Sequence, residues 1–262
     1  MLTSPLRARL ITGALGATAA CAALALAPGA ATAPAATGHT FSGYAPAQHA
    51  PLGTPARVAA AHPNVKGYNI NGYNWSGAAA TGSGFSSVSA SWVEPSVTCN
   101  STNDLFAPWV GIDGYGSSSV EQTGVATDCS SGRPVYQGWY EMYPASPVYY
   151  SNSVSAGDHI NASVSRSGTS YTLVLSDTTK GWTKTTTRSY NGANASAEII
   201  IESPTGAYPR FGSVNFSNAK IDGASLGNFS PTLLDASNSA GQYEDHTSAV
   251  SGGSFSISYL RE

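Results

Sequence analysis

The chain has 262 residues, of which only 10% are charged, with 12 lysine and arginine residues against 15 aspartate and glutamate residues. The positive charges form no basic stripe, so the sequence does not indicate a nucleic-acid partner. No cysteine and histidine residues lie at metal-ligand spacing, so we expect neither a metal site nor a cofactor.

The first predicted element, residues 1–35, has the features of a secretory signal peptide. Arg7 and Arg9 precede a long stretch rich in alanine and leucine, and small residues follow around Ala31 to Ala35, where such signals are cleaved. A membrane anchor is the alternative, but the glycine, threonine and proline residues disfavour it. We therefore expect a secreted, extracellular protein with no membrane association after signal removal. Loss of the two arginines lowers the 12 basic residues to 10 against 15 acidic residues, a net charge of −5.

Residues 36–68 are interpreted as a propeptide or linker. They are rich in alanine, proline and glycine and lack strand periodicity. They also contain His39, His49, His62, Arg57 and Lys66. One interpretation is a passive leader, and the other is a segment that covers an acidic cleft and leaves when acid protonates the carboxylates of that cleft.

Residues 69–262 predict one all-β domain, which we expect to be a monomer. Apolar and polar side chains alternate in several short segments, separated by serine, threonine, asparagine and glycine. Many short strands without a helical pattern are typical of an antiparallel sandwich or barrel. We predict a sandwich of two large antiparallel sheets, of the concanavalin-like or jelly-roll-like type. The predicted inward-facing residues are Val88, Ala90 and Trp92; Ile160, Ala162 and Val164; Val214 and Phe216; and Phe255, Ile257 and Tyr259.

Two cysteines remain in the predicted mature chain. In an exported protein, Cys99 and Cys129 most simply form one disulfide bond. Two free thiols are the alternative.

One predicted strand, residues 197–202, reads Ala-Glu-Ile-Ile-Ile-Glu. Side chains alternate along a strand, so Glu198, Ile200 and Glu202 share one face while Ile199 and Ile201 point the other way. The second face is predicted to join the core. The face that carries the acids is predicted to contact water or to have a function.

A glycoside hydrolase is one functional alternative, because secreted β-sandwiches often cleave sugars with two carboxylates. Retaining enzymes need these groups about 5–5.5 Å apart, and inverting enzymes about 6.5–9.5 Å apart. Glu198 and Glu202 are separated by about 13 Å along an extended strand, so they are not such a pair. A sugar-cleaving site would have to use Glu141 or Glu121, and a carbohydrate-binding module without catalysis is a further alternative.

Several short motifs occur in one order along residues 73–217, namely Asn74-Trp75-Ser76-Gly77-Ala78, Trp92-Val93-Glu94-Pro95, Trp109-Val110-Gly111-Ile112-Asp113-Gly114, Glu121-Gln122-Thr123-Gly124, Trp139-Tyr140-Glu141-Met142-Tyr143-Pro144 and the strand that ends at Glu202. In this order and spacing they resemble the glutamic peptidases, also called eqolisins or peptidase family G1. These are secreted acid endopeptidases with a propeptide, a two-sheet β-sandwich fold and no sensitivity to pepstatin. The resemblance implies protein or peptide substrates.

The resemblance also implies a catalytic pair. It assigns the glutamine of the family to Gln122 and the glutamate to Glu202, both on the concave, solvent-open side of one sheet. An ionised Glu202 could take a proton from a water molecule and return it to the leaving amine. Gln122 has a donor that does not titrate, so it could stabilise an oxyanion even in strong acid.

Other residues of these motifs are predicted to support the site. Asp113 and Glu141 match acids that accompany the active site in the family and could hold the catalytic groups or the water by hydrogen bonds. The aromatic residues either form the walls of a peptide groove or pack in the core, which is the commoner position in a sandwich. They are Trp75, Trp109, Trp139, Tyr140 and Tyr143.

The chain departs from the fungal members of the family at several positions. Glu121 stands where those members have an apolar residue, and strict alternation would send it inward, where an unpaired carboxylate is costly. Either a bulge or a local partner would then be needed. Met142 replaces a tryptophan, and the fungal cysteine framework is absent, so we expect a bacterial-type member.

Overall fold

A computed structural model describes residues 67–261 of the chain. The predicted signal peptide and all but the last two residues of the predicted leader lie outside the described residues.

The described residues form β-strands joined by turns, with one short 3₁₀ helix at Leu226–Phe229. The prediction of an all-β domain is therefore confirmed. None of the helices among residues 67–261 has the length and apolar character needed to cross a membrane. The strands are β1 (Ile70–Tyr73), β2 (Trp75–Thr81), β3 (Ser87–Val93), β4 (Leu105–Ile112), β5 (Val120–Asp128), β6 (Val135–Tyr143), β7 (Val148–Ser153), β8 (His159–Ser167), β9 (Ser170–Asp177), β10 (Trp182–Ser189), β11 (Ser196–Glu202), β12 (Ser213–Ile221), β13 (Ala224–Ser225), β14 (Thr232–Ala236), β15 (Asp245–Thr247) and β16 (Phe255–Tyr259).

These strands make two large sheets, as predicted. The first sheet has the order β1-β14-β2-β11-β4-β5-β6-β7, and the second has the order β10-β9-β8-β3-β12-β16-β15, with β13 paired to β12. The pair β1–β14 is parallel, and the other pairs are antiparallel. The candidate site lies on the first sheet, which is eight strands wide.

The main core lies between the two sheets and follows from the alternation of the sequence. The predicted inward-facing residues of β3, β8, β12 and β16 are buried in one cluster, with Tyr259 packed against it. Ile199 and Ile201 of β11 join the same cluster. Burial of such side chains is the main favourable contribution to folding.

The other face of the first sheet is also buried, which the sequence did not predict. Ile200 packs there in a second cluster with Trp75, Trp109 and Trp139. Strand β11 is central, with β2 on one side and β4 on the other. Because both of its faces are covered, every residue of this strand is buried, Glu198 and Glu202 included.

The disulfide between Cys99 and Cys129 is present, as predicted, and joins residues 30 positions apart in the chain. Cys129 directly follows β5, so the disulfide ties the loop after β3 to one end of the first sheet.

Strand β1 is held at the edge of the first sheet by side-chain contacts at its start. The backbone N–H and the side-chain amide of Asn69 each donate a hydrogen bond of 2.9 Å to the buried carboxylate of Asp235. Asp235 also accepts from the backbone of Thr247 and pairs with His246 at 2.9 Å. The ring of Tyr68 stacks on Tyr243 with the centroids 4.2 Å apart.

Candidate active site

Glu202 lies at the end of β11 and is held by two N–H donors. It is in register with Trp75 on β2 and with Ala107 on β4. The side-chain amide of Asn74 donates to Oε1 at 3.1 Å, and the indole of Trp109 donates to Oε2 at 3.2 Å. Two donors on separate oxygens fix the orientation of the carboxyl group.

The environment of Glu202 favours its neutral form. Burial raises the pKa of this carboxyl well above its usual range, and the charge of Glu141 raises it further. The N–H groups of Trp75, Trp109 and Asn74 oppose the rise in pKa, although the Trp75 indole makes no hydrogen bond of ordinary geometry. A carboxyl group in this position binds a proton tightly unless water reaches it.

Gln122 lies on β5 with Glu141 as its partner on β6. The two residues are in register, and Nε2 of Gln122 donates to Oε2 of Glu141 at 2.6 Å. This hydrogen bond uses one of the two N–H groups of the amide and leaves the other available. Both side chains are fully buried.

The Trp109 side chain connects Glu202 with Gln122, and two glycines make room for it. A β-carbon at Gly111 would lie 2.9 Å from the Trp109 ring and 3.2 Å from the β-carbon of Gln122. A β-carbon at Gly124 would lie 2.7 Å from that of Trp109. The indole therefore contacts Glu202 through its N–H, while its six-membered ring lies over Gly111, the residue in register with Gln122.

The two predicted catalytic residues share one face of one sheet, but β4 lies between their strands. Gln122 is in register with Gly111, whereas Glu202 is in register with Ala107, four positions away. The residue of β11 in register with Gly111 is Glu198. Register therefore places Glu198, not Glu202, level with Gln122. Glu202 is linked to this part of the sheet by its hydrogen bond from Trp109 and by the charge of Glu141.

Glu198 points to a different set of neighbours. Its Oε1 accepts a hydrogen bond of 3.2 Å from the backbone of Tyr115. Burial raises its pKa well above the usual range, and the charges of Asp113 and Glu121 contribute. Its electrostatic partners are therefore different from those of Glu202.

The implied solvent-open position of the pair is wrong for the described structure. Gln122, Glu141 and Glu202 are each 0% exposed. The reason is that the sheet face on which they lie is filled by the aromatic cluster rather than by water.

Four of the five aromatic residues predicted to support the site lie on its side of the sheet. Trp75, Trp109 and Trp139 are members of the cluster on this face, and Tyr143 packs against that cluster. Tyr140 is the exception, because alternation along β6 turns it towards the second sheet.

Tyr140 lies in the main core. Its hydroxyl accepts a hydrogen bond of 2.6 Å from Arg188, whose guanidinium carbon is 5.2 Å from the ring centroid. Tyr140 therefore packs between the two sheets, which is the core alternative for this residue and not the predicted supporting position.

Asp113 does not support the pair directly. Its carboxylate accepts hydrogen bonds of 2.8 Å from the backbone of Asn194 and Ala195. The sequence predicted that Asp113 would support the catalytic pair. In the structure it instead holds the connection between β10 and β11.

One contributing residue was missed by the sequence analysis. Asn74 stands directly before Trp75 in the first motif, and its amide binds Glu202. The signal that could have revealed it is its place in that motif, because a side chain next to a matched tryptophan lies near the same sheet end.

Several buried polar atoms near Gln122 and Glu202 have no hydrogen-bond partner among the described residues. They are Oδ1 of Asn74, Nε1 of Trp75, Oε1 of Gln122 and Nε1 of Trp139. Buried polar groups are almost always paired in native proteins. These donors and acceptors match the N–H and C=O groups of a peptide.

Within residues 67–261, no group of three or more histidine, cysteine, aspartate or glutamate side chains is arranged to hold a metal ion. The chemical groups at the candidate site are the two amides of Gln122 and Asn74, the two carboxyls of Glu141 and Glu202, and the indole N–H groups.

Most of the described part of the chain is similar to one known protein family. The model of the Peptidase A4 family matches residues 73–259. No protein of curated function matches the chain.

Solved structures of three peptidases are similar. Scytalido-glutamic peptidase with a peptide-based transition-state analogue has 29% identity and a TM-score of 0.63, covering 72% of this chain and 98% of that one. SCP-B, an eqolisin in complex with the tripeptide Ala-Ile-His, has 28% identity and a TM-score of 0.60 over 72% of this chain and 98% of that one. Aspergilloglutamic peptidase from Aspergillus niger has 32% identity and a TM-score of 0.52, covering 60% of this chain and 99% of that one.

Proposed function

Because the chain belongs to the Peptidase A4 family and is a glutamic-type endopeptidase, we propose that Gln122 and Glu202 are its catalytic pair. The observation that carries this proposal is their common environment. Gln122 is hydrogen-bonded to Glu141, Glu202 is hydrogen-bonded to Trp109, and the charge of Glu141 acts on Glu202. The family assignment replaces the alternative of a glycoside hydrolase or carbohydrate-binding module.

Glu202 acts on the attacking water. Amide hydrolysis needs a base that removes a proton from water and an acid that protonates the leaving nitrogen, and one carboxyl can do both in turn. Burial raises the pKa of Glu202 and so favours its neutral form, whereas the base must be the ionised form. Entry of water or substrate next to the Glu202 carboxyl lowers the pKa of this group towards the ordinary value. The carboxyl can then ionise and act as the base.

Gln122 stabilises the oxyanion. Its Nε2 has a second N–H beyond the one given to Glu141, and that N–H keeps its proton at any pH. Glu141 fixes the plane of the amide, so the donor is oriented before the reaction begins. A neutral amide beside a single reactive carboxyl also avoids the repulsion of two carboxylates.

The substrate is an extended peptide. The aromatic cluster of Trp75, Trp109 and Trp139 offers apolar surface, and its unpaired N–H groups offer donors for peptide carbonyls. The transition-state analogue and the tripeptide bound by the two similar peptidases are ligands of the same chemical class.

An acid casein assay tests the proposed function. Cleavage of denatured casein by the purified protein is measured from pH 2 to pH 7, with and without pepstatin. We expect the rate to be highest in acid and to be unchanged by pepstatin. Release of acid-soluble peptides measures the rate. Sensitivity to pepstatin, or release of sugars from glycans without cleavage of casein, would contradict the proposal.

We further propose that the chain is exported and that residues 36–68 cover the catalytic face until acid releases them. The histidines and cations of the leader support such a cover, because positive groups are complementary to the carboxyls of the site. The full chain should be inactive near neutral pH and should become shorter when acidified. Mass spectrometry of the acidified protein measures this, and full activity of an unshortened chain would show that the leader is passive.

A further inference from the structure

A buried carboxyl lies directly behind Gln122, on the face of β5 that points to the second sheet. Glu121 is in register with Ile112 on β4 and with Met142 on β6, without a bulge. Its side chain is 0% exposed, and neither carboxyl oxygen has a hydrogen bond of ordinary geometry among residues 67–261, although Ser119 and Asp113 lie near enough to affect its pKa. A charged carboxylate without partners is costly in such a position, and the peptidase chemistry gives it no role.

Asp113 faces Glu121 from the end of β4. Its φ of 67° lies in the left-handed region, which turns the chain out of the strand. Its hydrogen bonds to the backbone of Asn194 and Ala195 hold the connection between β10 and β11. Asp113 therefore fixes the segment that leads into the strand of Glu202.

Gly192, in the same connection, lies where the side chains of this group meet. A β-carbon at this position would lie 2.6 Å from the Tyr171 hydroxyl, 2.7 Å from Oδ2 of Asp113 and 3.0 Å from Oε2 of Glu121. The Tyr171 hydroxyl donates its proton to Oδ1 of Asn194 at 2.5 Å. Tyr171 therefore cannot also stabilise a negative charge on Glu121 through this proton.

Glu121 has no cation partner among residues 67–261. The ion pairs in the part of the chain that the structure describes are Lys180–Asp158 and His246–Asp235. Burial raises the pKa of Glu121 to about 8, and the charge of Asp113 adds to this rise.

The remaining groups around Glu121 respond to the same negative charges. The pKa of Glu198 on β11 is raised by burial and by the charges of Asp113 and Glu121. The pKa of Tyr171 on β9 is raised to about 12 by burial and by the same two carboxylates, with Arg166 opposing the rise. Ser119, just before β5, lowers the pKa of Glu121 only in part.

We propose that Glu121 is a positioning residue whose proton allows Asp113 to hold the β10–β11 connection, and whose ionisation releases that connection and disturbs Gln122. Glu121 thereby sets the upper pH at which the enzyme keeps its active geometry. The effect on activity rests on the proposed function, whereas the effect on folding does not.

The direction of the effect follows from the two states of the chain. Below the ordinary glutamate pKa of 4.5, folded and unfolded chains both hold the proton, and the stability is fully present. Between 4.5 and the folded pKa of about 8, only the folded chain holds it, so the folding equilibrium falls by roughly tenfold per pH unit. Above that range both forms are ionised and the loss is complete.

The variant Glu121→Gln keeps the shape of the side chain and does not titrate. In the full chain at pH 4, wild type and Glu121→Gln should unfold at the same urea concentration. As the pH rises towards 8, the folding equilibrium of the variant should exceed that of wild type by a factor that grows roughly tenfold per pH unit. On a casein peptide, kcat of the variant should persist to higher pH than kcat of wild type.

Glu94→Gln is the matched control. Glu94 is also buried, and burial raises its pKa to about 8, but it contacts Trp92 and Thr127 at the other end of β5. This control should gain stability at high pH in the same way. It should not raise kcat at a pH where near-ultraviolet circular dichroism shows wild type to be folded.

Parallel stability curves for wild type and Glu121→Gln between pH 4 and pH 9 would overturn the proposal. Equal effects of Glu121→Gln and Glu94→Gln on kcat would overturn the positioning role even if the protein is an active peptidase. If Glu121→Gln does not fold, Glu121→Met gives the same comparison. Failure of both variants to fold at pH 4, where the native residue is itself neutral, would also count against the proposal.

Discussion

Glu202→Gln should lower kcat on a casein peptide by roughly 10²–10⁴-fold, the usual contribution of a general acid–base group. Glutamine keeps the hydrogen-bonding shape but cannot take a proton from water. Asn74 and Trp109 both donate to this side chain, so one of these donors must adapt to the new amide. KM should change little, because the substitution leaves the aromatic surface intact.

Glu198→Gln is the control for this experiment. Glu198 lies on the same strand and the same face and is equally buried, and strand register places it level with Gln122. Glu198 nevertheless accepts a hydrogen bond from the backbone of Tyr115, and the charges that act on it are those of Asp113 and Glu121. The control should keep kcat within a few-fold of wild type. If Glu198→Gln is inactive and Glu202→Gln is active, the base is Glu198 and the assignment made here is wrong.

Gln122→Ala should lower kcat by roughly 10²–10³-fold, because removal of one preorganised oxyanion donor costs about that much. The loss should be nearly independent of pH in the acid range, since an amide does not titrate there. Single-turnover kinetics on a peptide amide would separate this loss from any change in substrate binding.

Gln122→Glu extends the same test. It replaces the donor with a carboxyl of the same length beside Glu141, whose oxygen lies 2.6 Å from the amide in wild type. The protonated carboxyl can still donate at low pH, but its ionisation puts two like charges together. Activity should therefore survive best in strong acid and fall as the pH rises. A pH profile identical to that of wild type would show that Gln122 does not contact the reacting atoms.

The fold was predictable because the apolar alternation is regular on the strands that have one face in the core. Val88, Ala90 and Trp92 of β3 are an example, and all three are buried as predicted. The pattern is weaker in the first sheet, whose strands are buried on both faces. Ile200 shows why, since its neighbours on the outer face are tryptophans from β2, β4 and β6. These neighbours depend on strand order, which local sequence does not contain.

Motif matches and strand alternation predicted which residues lie at the site and which face of a strand they occupy, but not their neighbours from other strands. Alternation put Glu121 behind Gln122, and the structure confirms that position without a bulge. Its neighbours could not be predicted, because Asp113, Gly192 and Tyr171 come from separate parts of the chain. Tyr140 and Asp113 were assigned to the site because they belong to the matched motifs. Their side chains turn to the second sheet and to the β10–β11 connection instead.

The anchoring of β1 limits where the proposed leader can be removed. This short edge strand is the parallel partner of β14, and Asn69 fixes its start to Asp235. Cleavage on the carboxyl side of Asn69 would remove this anchor from the chain that keeps β1. If β1 then separates from the sheet, the backbone of β14 becomes free to pair with another molecule, as exposed sheet edges do in aggregation. A soluble mature form should therefore begin at or before residue 69.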